Sequence, residues 1–218
     1  MKNSIKISLL SYIMFSVIIS CGKIDDKSQI VFHSIGKEYV LIKDVKTLQN
    51  SNDEISNYVD SILSGLINSE FVTTGQKNFD LDADDVSDIG FDIIDLNKIN
   101  ENELPVSFDT LAARVFPMKV ELLDKTTYGY PDALDFGVEI SKNGFWSNKN
   151  PSVLGTFLNA GKFQGKGEKY LGIRFLKDDN FKYGWIKIYC SQHNDTLRII
   201  EYGYNDVLNS KIKAGQKE

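Results

Sequence analysis

The run Phe181-Lys182-Tyr183-Gly184-Trp185-Ile186-Lys187-Ile188-Tyr189-Cys190 limits the possible folds more than any other part of the chain. An extended strand turns successive side chains to opposite faces, so Ile186, Ile188 and Cys190 share one face. A strand this apolar needs neighbours on its edges and layers on its faces. The sequence supplies both. Lys169–Leu176 precedes it across the turn-forming Lys177-Asp178-Asp179-Asn180, and Thr196–Tyr202 follows. Upstream, Phe91–Leu96, Met118–Leu123, Phe136–Ser141 and Ser152–Leu158 read as further short strands. Ile30–Ile35 and Glu38–Lys43 read as two strands around Gly36-Lys37, a tight hairpin. Short strands between Gly, Asn and Asp turns predict a mainly β chain. The expected form is one antiparallel β-sandwich or jelly-roll-like domain over residues 30–218. One helical pattern stands apart. Ile55, Tyr58, Val59, Ile62, Leu63, Leu66 and Ile67 recur at three- and four-residue spacing, with Ser51 and Glu54 as a capping box. It predicts a single peripheral amphipathic helix.

The first twenty residues have a different logic. Lys2 and Lys6 precede an apolar run from Ile7 to Ile19 broken only by serines, too short for a membrane span of roughly 20 apolar residues. It ends in Ile18-Ile19-Ser20-Cys21, which resembles the lipobox of bacterial lipoproteins. That resemblance implies a signal peptide over residues 1–20, acylation of Cys21, and a lipidated tether over residues 21–29. Several acyl chains, at about 0.8 kcal/mol per buried methylene, make a stable membrane anchor. Gly22 occupies the position where an Asp favours inner-membrane retention in the Gram-negative lipoproteins this segment resembles, so the resemblance implies the outer membrane. Lys23-Ile24-Asp25-Asp26 resembles a surface-export signal of Bacteroidetes lipoproteins, with Ile24 as a departure. The expected location is the outer membrane, facing outward.

Seven aspartates fall between residues 80 and 95. Asp80, Asp82, Asp84 and Asp88 reproduce the D-x-D-x-D-x-x-x-D spacing of a calcium loop, with the Val86 carbonyl at the seventh position. Calcium takes six to eight hard oxygens, and a tight loop aims alternate carboxylates at one centre. The expected metal ligands are therefore Asp80, Asp82, Asp84, Val86 and Asp88. Position six, usually Gly because φ is positive there, is Asp85. Position twelve, a bidentate Glu in EF-hands, is Phe91. The expected loop is thus not an EF-hand, and its role is structural.

Charge and composition exclude several functions. The chain carries a formal −5, which becomes −7 when Lys2 and Lys6 leave with the signal peptide. That balance argues against nucleic acid as a partner. With Cys21 acylated, only Cys190 remains, so no disulfide is expected within the chain. Cys190 reads as a small buried hydrophobe. His33 and His193 are isolated, which disfavours the usual zinc sites and a Ser-His-Asp triad. Gly161-Lys162-Phe163-Gln164-Gly165-Lys166-Gly167 has the wrong spacing for a phosphate loop, so no nucleotide is expected. Glu121 with Asp124, or Asp135 with Glu139, offer carboxylate pairs of the kind glycosidases use. Spacing along the chain does not fix their separation in space. Trp146, beside Phe145 in a loop of Asn, Gly and Ser, suits stacking on a sugar or a protein ligand and equally suits plugging the end of a sandwich.

Phe79–Phe91, the paired segments Tyr170-Leu171-Gly172-Ile173-Arg174-Phe175 and Tyr183-Gly184-Trp185-Ile186, and the ending Ile212-Lys213-Ala214-Gly215 together resemble a loosely defined group of Bacteroidetes-type extracellular lipoproteins. The resemblance implies an extracellular β domain with a calcium-type loop and leaves its activity open. Gly172 and Gly184 are expected to be covered by neighbouring side chains in the core. The combined expectation is a non-enzymatic binding or adhesion module, with glycans as a candidate ligand. A glycoside hydrolase-like enzyme in a lectin-like sandwich is the competing reading.

Overall fold

The computed structural model describes residues 29–35, 40–42, 72–95, 111–156, 159–177 and 179–218. The signal peptide, Cys21, the tether up to residue 28 and the helical pattern at 55–67 lie outside these residues. The strands come in chain order: β1 (Ile30–Ser34), β2 (Val40–Ile42), β3 (Val72–Thr73), β4 (Lys77–Phe79) and β5 (Ile89–Asp95). Next are β6 (Leu111–Pro117), β7 (Val120–Leu123), β8 (Ala133–Leu134), β9 (Glu139–Ile140) and β10 (Trp146–Ser147). The last are β11 (Ser152–Thr156), β12 (Glu168–Lys177), β13 (Asn180–Cys190), β14 (Thr196–Asn205) and β15 (Ile212–Lys213).

The larger sheet runs β1-β14-β13-β12-β7-β10, with β2 also on β14 and β8 also on β12. The smaller runs β11-β6-β5-β3, with β4 on β5. All strand pairings are antiparallel. The two sheets share one core. Phe91, Ile93, Ala113, Val115 and Leu154 of the smaller sheet pack with Leu122, Leu171, Ile173, Ile186, Ile188 and Ile199 of the larger. The fold is a mainly β sandwich, as the period-two pattern predicts.

The larger sheet is buried on both faces. Opposite the shared core, Tyr170, Tyr183, Trp185 and Leu123 pack under Leu134, Ile140, Ile212 and Ala214, with β9 and β15 forming a small lid. Glycines make room there. Gly203 pairs with Phe32 on one side and Trp185 on the other, and a methyl group at Gly203 would lie 3.0 Å from Trp185 Cζ2. The missing side chain lets the Phe32 and Trp185 rings approach to 6.2 Å across β14. Gly172 is covered by Leu123 and Leu134, and Gly184 by Tyr204 and Ile173, so core packing explains both. Cys190 is likewise buried in the shared core.

The N-terminal hairpin expected around Gly36-Lys37 does not form. β1 pairs with residues 201–205 of β14 and β2 with residues 196–198, both antiparallel. The two segments therefore run in the same direction, one after the other, along one edge. The reason is competition: β14 offers a long, apolar partner for both, and pairing on it lets Val31 and Leu41 pack against the shared core.

Candidate metal centre

The acidic loop joins β4 to β5 at residues 80–88, and its ends are fixed by the smaller sheet. Phe79 pairs with Ile89, and Asp88 N–H donates to Phe79 O at 2.8 Å. Leu81 and Asp88 are buried while residues 83–86 between them face outward, so the chain must turn sharply to return. Asp80 organises the turn. Its Oδ1 accepts from Ala83 N–H at 2.8 Å and from Asp84 N–H at 3.3 Å, and its Oδ2 accepts from Asp85 N–H at 2.8 Å. Ala83 and Asp85 both take left-handed backbone, with φ of 61° and 66°. Position six of the loop thus has the positive φ that the spacing demands, and Asp supplies it at a cost Gly would avoid.

Asp80, Asp82 and Asp88 converge, each offering one carboxylate oxygen within 4.8 Å of the others. The triad can hold a metal ion. Asp84 lies beside this group, exposed, with its Oδ1 accepting the Val86 N–H at 2.9 Å. The Val86 side chain faces solvent. Asp82 Oδ1 is buried and has no hydrogen-bond partner. An anionic oxygen in that condition is costly, and a cation is the chemistry that would satisfy it.

The field around the loop is strongly negative. Burial pushes the Asp88 carboxyl up to about 6, against the Leu81 N–H that donates to it at 2.7 Å, and the charges of Asp82, Asp84 and Asp80 push it further. The same charges reach β14. Burial moves the Tyr202 hydroxyl up to about 12, and Tyr204, Asp80 and Asp88 add to the shift. Tyr204 is raised by burial, then by Asp206, Asp82, Asp88 and Asp80. The loop therefore sits over the edge of the shared core. Asp88 also ties it to the β6–β7 turn, because its carbonyl accepts from Met118 N–H at 2.9 Å and Lys119 N–H at 3.0 Å.

Trp146 occupies β10, paired with Leu123 of β7, and is half-buried. Its ring lies 5.7 Å from that of Tyr183, and the Arg174 guanidinium sits 4.8 Å over it and 3.9 Å over Phe181. Its Nε1 is buried without a partner. The neighbour Phe145 is the exposed ring, at 62 %. Sequence spacing did not single out Arg174, Phe181 or Tyr183, because strands distant in the chain bring them to Trp146.

The carboxylates weighed for hydrolysis are held by other groups. Glu121 accepts from Arg174 Nε at 2.6 Å, Asp135 binds Lys169, and Glu139 binds Lys211 at 2.7 Å. Asp124 is buried within a loop it organises, accepting from Thr126 N–H, Thr126 Oγ1, Gly129 N–H and Tyr130 N–H. Cys190 donates its thiol to Asn194 Oδ1 at 3.4 Å, and burial pushes that thiol up to about 12, far from a nucleophile's range. Comparison with protein-family models, curated proteins and solved structures returns no match.

Proposed function

We propose that this chain is a lipid-anchored surface protein of a bacterium, with a calcium ion pinning the β4–β5 loop, and that its role is to bind a ligand and not to catalyse. The convergence of Asp80, Asp82 and Asp88 around a buried, unpartnered Asp82 oxygen carries the metal part of this reading. The donors are hard oxygens, which suit calcium over zinc or copper. Asp84 and the Val86 carbonyl lie in the same short loop and complete the oxygen set on this view. Calcium would neutralise charges that now oppose one another and lock a turn containing two left-handed residues. The anchor rests on the lipobox-like residues ending at Cys21.

The binding role draws support from the Trp146 and Phe181 rings with Arg174 over both, a surface suited to the flat face of a sugar or to a protein loop. Calorimetric titration of the protein with calcium tests the metal reading. Saturable heat in the wild type, lost in Asp80→Ala/Asp82→Ala, is the expected result. No heat from the wild type would reduce the loop to solvated acid. For the ligand, a glycan array is probed with the wild type and with Trp146→Ala. Sugar binding lost on substitution is expected, whereas binding that survives it removes Trp146 from the site.

A further inference from the structure

β1 forms an edge of the larger sheet, and its pairing is one-sided. Gln29 O accepts from Asp206 N–H, and Ile35 N–H donates to Ile200 O, both at 2.8 Å. With the register Ile30↔Asn205 to Ser34↔Glu201, the alternation of an antiparallel ladder gives Val31 and His33 to β14. The N–H and C=O groups of Ile30, Phe32 and Ser34 therefore point away from the sheet. Among the described residues nothing pairs with them. The strand itself carries little of the usual protection of an edge: Ile30-Val31-Phe32-His33-Ser34 contains no Lys, no Pro and no charged carboxylate, and the one lysine near it, Lys217, lies over the Phe32 ring and leaves the outward backbone groups uncovered. Ile30 and Phe32 are only half-buried on one core and Val31 only half-buried on the other. A strand laid alongside would cover what remains exposed on both faces.

We propose that β1 is a docking edge through which two copies of this chain pair, antiparallel, with Phe32 opposite Phe32. The outward residues are spaced evenly about Phe32, so this alignment sets Ile30 against Ser34 of the second copy and satisfies every outward N–H and C=O. The β1 residues themselves carry no like charges, and the Lys217 ammonium that lies 4.3 Å over each Phe32 ring is paired with Glu201 at 2.8 Å, so the two lysines that this alignment brings together are each neutralised. The other described edges offer a second copy little. β10 has two residues, and β11 is already covered, with Phe163 N–H on Leu154 O and Thr156 N–H on Ala160 O. Pairing of β1 with itself is two-fold and closed, so it stops at a dimer. A strand pair five residues long buries far less than the ~1,200 Å² of a standard stable complex, so the dimer forms as concentration rises.

Sedimentation of the full chain in detergent, from micromolar to near-millimolar concentration, tests the pairing beside Ser34→Pro. Ser34 N–H points outward, so proline removes a donor that the single molecule does not use. The wild type is expected to pass from monomer to dimer, and the variant to remain monomeric with an unchanged melting temperature. Amide exchange on the wild type gives a second reading that does not depend on the variant folding. Val31 and His33 amides should be protected at every concentration, and those of Phe32 and Ser34 should gain protection only with the dimer. A monomer throughout the series overturns the proposal, as does a dimer whose Phe32 and Ser34 amides exchange freely. Protection of those two amides in the dilute monomer also overturns it, because another segment or a bound peptide then fills the edge.

Discussion

Arg114 holds Asp92 across the β5–β6 pair with bonds of 2.9 Å from Nε and 2.6 Å from Nη2, and both side chains are buried. They lie on the face of the smaller sheet opposite Phe91, Ile93 and Val115, so removing the aspartate takes away the bidentate counter-ion of a buried arginine. Asp92→Ala is therefore expected to cost about 3–5 kcal/mol in urea unfolding, while an apolar replacement of both partners costs far less. A double variant as unstable as the single one would mean that loss of the pair itself, and not a buried arginine deprived of its carboxylate, sets the cost. Asp82 works in the opposite sense. Removing its charge relieves repulsion, so Asp82→Asn should leave the calcium-free melting temperature unchanged or higher and abolish its rise with calcium. Asp124 sets a pH dependence. Burial alone would raise its carboxyl, but the hydrogen bonds from Thr126 and Gly129 and the charge of Lys162 outweigh it and hold the group below its usual value of 3.8. Its contribution is thus complete above about pH 4 and lost as the pH falls through the depressed folded value. Melting curves between pH 5 and pH 2 should fall less steeply for Asp124→Asn than for the wild type. Equal slopes would remove Asp124 as a source of acid sensitivity.

At the level of the element, burial on both faces and residue type together decided what the sequence could reveal. β12, β13 and β14 are buried on both faces over much of their length yet are legible from their aromatic and aliphatic runs between turn residues, as is the turn at residues 177–180, where Asp179 takes φ of 61° as a two-residue hairpin loop requires. β6 was missed. Leu111-Ala112-Ala113-Arg114-Val115 is buried at every position, so its alternation is hidden, and its alanines suggest helix as readily as strand. β1 and β2 were legible as strands but not as neighbours along one edge, since local turn chemistry says nothing about a partner some 160 residues away. In the loop, spacing found Asp80, Asp82 and Asp88, but it could not show that Asp84 would turn to the Val86 N–H. Gly203 shows how a single missing side chain links elements. Gly203→Val would push against Trp185 and against the Val31 carbonyl, 3.1 Å from the new methyl position. A loss of about 1–3 kcal/mol in urea unfolding is expected. No loss would mean that Trp185 moves aside without penalty.

The two sheets share one core, so the whole molecule should respond to an event at either of them. The acidic loop belongs to the smaller sheet, whereas Trp185 is fully buried on the far face of the larger one. The link runs from Asp88 through Phe79, Ile89 and Phe91 into the packing shared with Ile173 and Ile186. If those contacts melt together, an ion bound at the loop stabilises Trp185 without touching it. At a calcium concentration one hundred times its Kd, linkage supplies about 2.7 kcal/mol. For a chain of this size that corresponds to a rise of roughly 5–10 °C in melting temperature. Trp185 fluorescence and far-ultraviolet dichroism should shift together by that amount, and Asp80→Ala/Asp82→Ala should show neither shift. A loop that gains exchange protection in calcium while the Trp185 transition stays in place would separate the sheets into two cooperative units. The ion would then order its own loop and leave the aromatic ridge around Trp146, on the Trp185 side of the larger sheet, indifferent to calcium. Ligand binding at that ridge would in that case be independent of the metal, whereas a single cooperative unit ties its order to calcium at the opposite sheet.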